Sequence, residues 1–190
     1  IRKAHNMIVG LTGSFGAGKG AVADYLIATK GFSNYSVRSF LTEEIGRRNM
    51  PVNRDSMIEV ANDLRAKNGP AYLVEALYKK AESEGGNIII ESLRAVAEVQ
   101  KMKELGGIVI GVDADPKLRY ERVVKRGQET DQVTYEKWLE QEKAESNPDD
   151  PTKQDIFGAL RESTVVLQNN GTVEELHQQI DEALAALPKE

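Results

Sequence analysis

No cysteine occurs among the 190 residues. A disulfide framework, a thiolate zinc site and a cysteine nucleophile are therefore excluded, and the cytoplasm is the expected compartment. Only two histidines are present, His5 and His177, and they have no partners at metal-ligand spacing. Long hydrophobic runs are missing too: the longest, around Ile88–Ile90 and Gly107–Ile110, fall far short of the ~18 apolar residues that cross a bilayer. Basic charge is not in excess, with 25 Lys+Arg against 30 Asp+Glu and a formal net charge of -5. That balance argues against a stable nucleic-acid complex or an anionic-membrane coat, so any anion site must be local. What is present, 40% hydrophobic and 29% charged residues, is the composition of one globular domain.

The pattern starts at Met7, and residues 1–6, which lack the apolar centre of a signal peptide, are expected to be a tag or a disordered start. Short apolar runs predict five strands, at Met7–Thr12, Phe32–Val37, Asn87–Glu91, Ile108–Val112 and Thr164–Leu167. Helical spacing and capping residues predict helices at Lys19–Lys30, Ser39–Arg48, Arg54–Lys67, Pro70–Glu84 and Ala95–Leu105. Further helices fit Pro116–Arg126, Gln132–Glu145 and a C-terminal stretch opened by the Thr172/Glu175 capping box, with Leu187 on its inward face. Nearly every pair of strands is separated by a helix, which requires crossover connections. The class is α/β, a mainly parallel five-stranded sheet between two helical layers, in which ligands sit beyond the carboxyl ends of the strands.

Directly after the first strand stands Gly13-Ser14-Phe15-Gly16-Ala17-Gly18-Lys19-Gly20, followed by Ala21 and a helix. Strand, glycine-rich loop and helix in that order form a phosphate-binding P-loop. The glycines let backbone amides point into one concavity, the helix start adds its positive dipole end, and Lys19 supplies a mobile charge for the β and γ phosphates of a nucleotide such as ATP. The usual hydroxyl after the lysine, which would touch Mg²⁺, is replaced by Gly20.

Gly18-Lys19-Gly20 resembles the loop of adenylate kinases and their relatives, the P-loop nucleoside monophosphate kinases. The resemblance implies a single three-layer P-loop kinase domain over residues 7–188, with an acceptor-binding helical insert at about 38–84 and a helical lid at about 117–150. In that family a threonine stands where this chain has Ala21. Arg38, in Tyr35-Ser36-Val37-Arg38, and Arg94, in Glu91-Ser92-Leu93-Arg94, are similar to the family's acceptor-phosphate contacts, and Arg65 is a third candidate. The same likeness implies that Glu91 orients Mg²⁺-bound water, that Arg122 and Arg126 close over the phosphates, and that Asn170 and Gly171 border adenine. Arg119, Arg122 and Arg126 are spaced three and four apart, so all three can project from one helix face.

Together these imply an ATP- and Mg²⁺-dependent phosphotransferase acting on a small-molecule phosphate acceptor. Dephospho-coenzyme A kinases have a similar layout, but the resemblance would then imply an acidic base at the end of the second strand, where this chain has Ser36-Val37-Arg38. An ionised phosphate needs an anchor rather than a base, which favours a nucleoside or deoxynucleoside monophosphate. A nucleotide-driven switch or ATPase is the third reading, with no Asn-Lys-x-Asp guanine-reading motif to support it.

Overall fold

The computed structural model describes residues 7–127 and 133–186. The predicted helix start at Gln132, the first six residues and the chain beyond 186 lie outside them. β1 (Met7–Gly13), β2 (Ser33–Ser36), β3 (Asn87–Leu93), β4 (Ile108–Asp113) and β5 (Val165–Gln168) form one sheet in the order β2-β3-β1-β4-β5. All four strand pairings are parallel. Alternation along the central strands divides the core into two clusters. Ile8, Ile88, Ile90 and Val109 face one side, and Val9, Leu11, Ile89, Ile110 and Val112 face the other. Both faces of β1 and β3 are therefore covered, which is why these strands read as unbroken apolar runs.

The first cluster is roofed by α2 (Val37–Arg47), α3 (Arg54–Asn68), α4 (Tyr72–Ala81), α5 (Val96–Glu104) and α8 (Ile156–Arg161). The second packs under α1 (Lys19–Lys30) and α9 (Val173–Ala185). α6 (Pro116–Arg126) and α7 (Tyr135–Ala144) run beside the P-loop. Several ends follow their residues as read. Asn53 caps α3, Asp115 with Pro116 opens α6, and Thr172 with Glu175 closes the capping box of α9. No described helix is long and apolar enough to cross a membrane.

Three expectations need correction. α2 begins at Val37 because the Ser36 hydroxyl accepts from the Ser39 amide and caps it, so Arg38 stands in the first turn of a helix rather than at a strand end. α4 begins at Tyr72, two residues after Pro70. α8 has no counterpart in the sequence reading: it is six residues long, too short for periodicity, and is started by the Asp155 carboxylate accepting from the Gly158 amide at 3.0 Å.

Candidate active site

The carboxyl ends of β1, β3 and β4 converge on the loop from Gly13 to Gly20. Gly16 and Gly18 adopt φ of 80° and 100°, and a Cβ there would stand 2.6 Å from the Arg119 carbonyl oxygen and 2.4 Å from Asn169 Nδ2. Glycine is needed at both places for conformation and for space. The loop is fastened from below by side chains outside the motif. Ser14 Oγ donates to Asp113 Oδ1 at 2.6 Å, and Asn169 Nδ2 donates to the Ala17 carbonyl at 2.8 Å. Arg119 Nη1 donates to the Phe15 carbonyl at 3.3 Å. The first-turn amides of α1, at Lys19 and Gly20, have no helical carbonyl to bond, and both residues line the adjoining cavity. The loop is thereby fixed in the shape of an anion cradle before any anion arrives.

Lys19 folds over that cradle, its Nζ donating to the carbonyls of Gly13 at 2.9 Å and Ser14 at 3.1 Å. Burial, reinforced by the positive charge of Arg94, pushes its pKa down to about 7, while Glu91 pulls the other way. An ammonium buried in this way is costly to keep charged, and a neighbouring anion would favour the charged form.

Next to the loop lies a cavity of about 570 Å³. Its described lining includes Lys19 and six arginines, at 38, 54, 65, 94, 122 and 126, but a single carboxylate, Glu145. Its apolar side comes from α2 and α3, with Val37, Leu41, Met57 and Ala61. Arg54 and Arg126 place their guanidinium carbons 5.0 and 5.2 Å from the centre of the Phe15 ring, so the loop's one aromatic touches α3 and α6 at once. Arg122 Nη2 donates to the Asn169 carbonyl at 2.8 Å, and its Nη1 is buried with no partner among the described residues.

Arg94 reaches the cavity through an irregularity in the sheet. The register between β1 and β3 shifts after Leu11, so that Thr12 pairs with Leu93, and Ser92 takes φ 70° at the extra position. An L-residue in that region is strained by ~1–3 kcal/mol and persists only where its surroundings enforce it. Here Thr12 Oγ1 donates to the Leu93 carbonyl at 2.8 Å and the Asp155 amide to the Arg94 carbonyl at 2.8 Å. Arg94 Nη1 then donates to Glu145 Oε2 at 3.1 Å, while Arg54 Nε donates to Glu145 Oε1 at 2.7 Å. Glu145 thus ties the α3 arginine to the β3 arginine.

Some sequence candidates are placed differently. Arg65 is 1% exposed, and its Nε and Nη2 lie 2.8 and 2.7 Å from Glu98 Oε1. Glu98 in turn accepts the amides of Arg94 and Ala95 through Oε2, at 2.7 and 3.1 Å. Arg65 therefore forms part of the cavity wall as a buried ion pair that steadies the Arg94 turn, and its guanidinium is not free for an acceptor. Arg119 likewise does not share the open face of Arg122 and Arg126: it is 3% exposed and forms a two-pronged ion pair with Glu142. Glu91 lies in β3 between Leu11 and Ser36 and does not line the cavity. Asn170 is exposed and accepts the Asp115 amide at 2.7 Å, and Gly171 follows at the start of the same turn.

Replacing Arg65 with methionine is expected to lower unfolding stability by about 3–5 kcal/mol, because Glu98 is left charged and unpaired in the core. Urea denaturation checks this, and a cost of less than ~1 kcal/mol, the scale of a surface pair, would contradict the buried-pair account.

Residues that no motif pointed to are Arg54, Asp113, Glu145, Gln154 and Asn169. Asn169 stood in the turn read from Gln168 to Gly171, and Arg54 directly follows the Asn53 cap. Neither position carries a local signal of contact with the loop. Among the described residues no group of three His, Asp or Glu side chains is arranged to hold a metal ion. With Gly20 after the lysine and Ser14 Oγ engaged by Asp113, the donor set suits a Mg²⁺ carried in on phosphate oxygens rather than a resident ion.

A family model described as AAA domain matches residues 9–147. The UPF0200 protein of Pyrococcus abyssi is 30% identical over 74% of this chain and 79% of its own, and that of Pyrococcus horikoshii 27% identical over 95% and 97%. Among solved structures, TT1252 from Thermus thermophilus aligns with a TM-score of 0.66 at 18% identity, covering 97% of this chain and 100% of that one. A gluconokinase from Sinorhizobium meliloti aligns at 0.56 and 16% over 96% and 94%. A shikimate kinase from Bacteroides thetaiotaomicron aligns at 0.54 and 14% over 94% and 98%. These likenesses show the fold, a parallel sheet with the loop at its centre between two helical layers. With the loop, the α2 and α3 wall of the cavity and most of the sheet inside the matched span, this chain belongs to the AAA domain family and to the UPF0200 proteins.

Proposed function

We propose that this chain is an ATP-dependent kinase that transfers the γ-phosphoryl group to a small acceptor already bearing a phosphate, a nucleoside or deoxynucleoside monophosphate fitting best. The observation that carries the reading is the cavity's charge: with Arg65 set aside as paired to Glu98, its described lining carries five arginines and Lys19 against one carboxylate, in a chain of net charge -5. One polyanion on the loop leaves the far arginines unmatched, and a second anion on the acceptor matches them. A hydroxyl acceptor would need a general base, yet the oxygens of Glu145 are taken by guanidinium donors and Glu91 stands outside the cavity. A phosphate acceptor is ionised near neutral pH and needs only to be held in line.

In this reading the loop amides and Lys19 hold the β and γ phosphates, and Arg122 and Arg126 meet the transferring group from α6. Arg38, Arg54 and Arg94 hold the acceptor's phosphate, which takes over the guanidinium bonds of Glu145. Val37, Leu41, Met57 and Ala61 pack against its base. Asn170 and Gly171 border the nucleotide's base beyond β5. Mg²⁺, when bound to the nucleotide, neutralises charge on the phosphates, and Glu91 is the side chain assigned to its water shell.

A coupled ADP-release assay with ATP and Mg²⁺ tests this against a panel of nucleoside monophosphates and dephospho-coenzyme A. The reading requires release that depends on a nucleoside monophosphate. Release with dephospho-coenzyme A alone, or equal release with no acceptor, would overturn it.

A further inference from the structure

We propose that Gln154 determines acceptor specificity, its side-chain carbonyl accepting a hydrogen bond from an O–H or N–H group that the acceptor carries close to its anionic group. The inference rests on the kinase reading for the word acceptor, but its observations are separate. Gln154 is 4% exposed, and its Oε1 is buried with no hydrogen-bond partner among the described residues. A buried carbonyl left unpaired is costly, so its retention points to a group that arrives from outside.

Its position says where that group lies. Gln154 borders the main cavity together with Arg54, Arg94 and Glu145, and also borders an adjoining cleft of about 320 Å³ between α3 and the end of α7. The backbone that carries it is fixed on both sides. The Gln154 carbonyl accepts from the Asn147 amide and from Asn147 Nδ2, both at 3.0 Å, and the next residue's amide bonds the Arg94 carbonyl at 2.8 Å. The amide is thereby held in constant relation to the arginine assigned to the acceptor's phosphate. Arg94 and Arg54 donate to Glu145, and Arg54 also to Gln141, and among the described residues none donates to Gln154 Oε1. A hydrogen-bond donor on the ligand complements it. A guanidinium-matched anion with an adjacent hydroxyl or amine is the chemistry this corner is built for.

The probes are AMP, 2′-deoxy-AMP and IMP, with CMP, 2′-deoxy-CMP and UMP, titrated calorimetrically into the full chain in the presence of ADP and followed in the ADP-release assay. In the wild-type protein, loss of the 2′-hydroxyl, a donor on the sugar near the phosphate, is expected to weaken binding at least ~10-fold, as leaving a buried acceptor unpaired requires, whereas IMP and UMP, changed only at the far edge of the base, serve as controls that keep it. Gln154→Met should remove that discrimination and raise the KM for the donor-bearing acceptor by a similar factor, leaving the KM for ATP within about twofold. The wild-type series stands alone if the variant does not fold. Binding that is indifferent to the 2′-hydroxyl, discrimination that survives Gln154→Met, or no binding of any probe overturns the proposal. The discrimination pattern in binding without turnover overturns the kinase reading and keeps this assignment, while turnover without the pattern does the reverse.

Discussion

Replacing Lys19 with methionine is expected to lower kcat by about 10²–10³-fold, the scale for removing one preorganised charge-stabilising donor, while the chain still folds. Asp113, Asn169 and Arg119 hold the loop in addition to the two bonds Lys19 makes to the Gly13 and Ser14 carbonyls, so the cradle outlasts the substitution. Stability should respond in a distinctive way. The pKa of Lys19 is depressed by burial from 10.5 to about 7, so between those values the unfolded chain binds the proton that the folded chain gives up. The cost of burying the ammonium is therefore full below pH 7 and is relieved as pH rises toward 10.5. Relative to the Lys19→Met variant, the wild-type Tm should climb from pH 7 to pH 10. Steady-state kinetics and paired melts at three pH values check both parts. A Tm difference that is flat with pH would mean the ammonium is not enclosed.

The second large effect belongs to α6. Arg122→Ala and Arg126→Ala should each reduce kcat by about 10³-fold, the lower end of what an arginine meeting a transferring phosphoryl group contributes, with smaller changes in KM. Arg122 is the sharper case. One of its guanidinium nitrogens is held by the Asn169 carbonyl, on the residue that also grips the loop at Ala17, and the other is buried beside the cavity with no partner among the described residues. The first bond aims the second donor, and a lysine could not do both. Arg122→Lys is accordingly expected to behave more like the alanine variant than like wild type. A raised KM with unchanged kcat would make these arginines ground-state binders only.

How much of this the sequence disclosed depended on whether the information was local. The loop was legible because its glycines, lysine, preceding strand and following helix are contiguous, and each constrains the next. The strands were legible because both faces of β1 and β3 are buried, which leaves runs such as Ile88–Ile90 with no polar interruption. Caps at Asn53, Asp115 and Thr172 act within three residues and were read with the same ease.

The supporting contacts were not legible, because each is closed by the fold. Arg65 meets Glu98 across 33 positions and Arg54 meets Glu145 across 91, with no pattern at either residue to announce its partner. An arginine expected at the acceptor is instead consumed by a core carboxylate, and an unremarked arginine takes up a place on the cavity. The turn at Ser92 falls in the segment Glu91-Ser92-Leu93-Arg94 that the sequence singles out. Its consequence, a sheet irregularity that brings Arg94 over the loop, required the register of β1 against β3.

The most direct test of the central claim, that the loop cradles a polyphosphate and recharges Lys19, is calorimetric titration of ATP with Mg²⁺ into the full chain. It should be run at pH 8 in two buffers of different ionisation enthalpy, with the Lys19→Met variant in parallel. One site per chain is predicted for the wild type, together with a proton taken up from the buffer that the variant does not take up and an affinity that declines as pH rises above 7. Absence of binding heat in both buffers, or proton uptake identical in the two proteins, would contradict it.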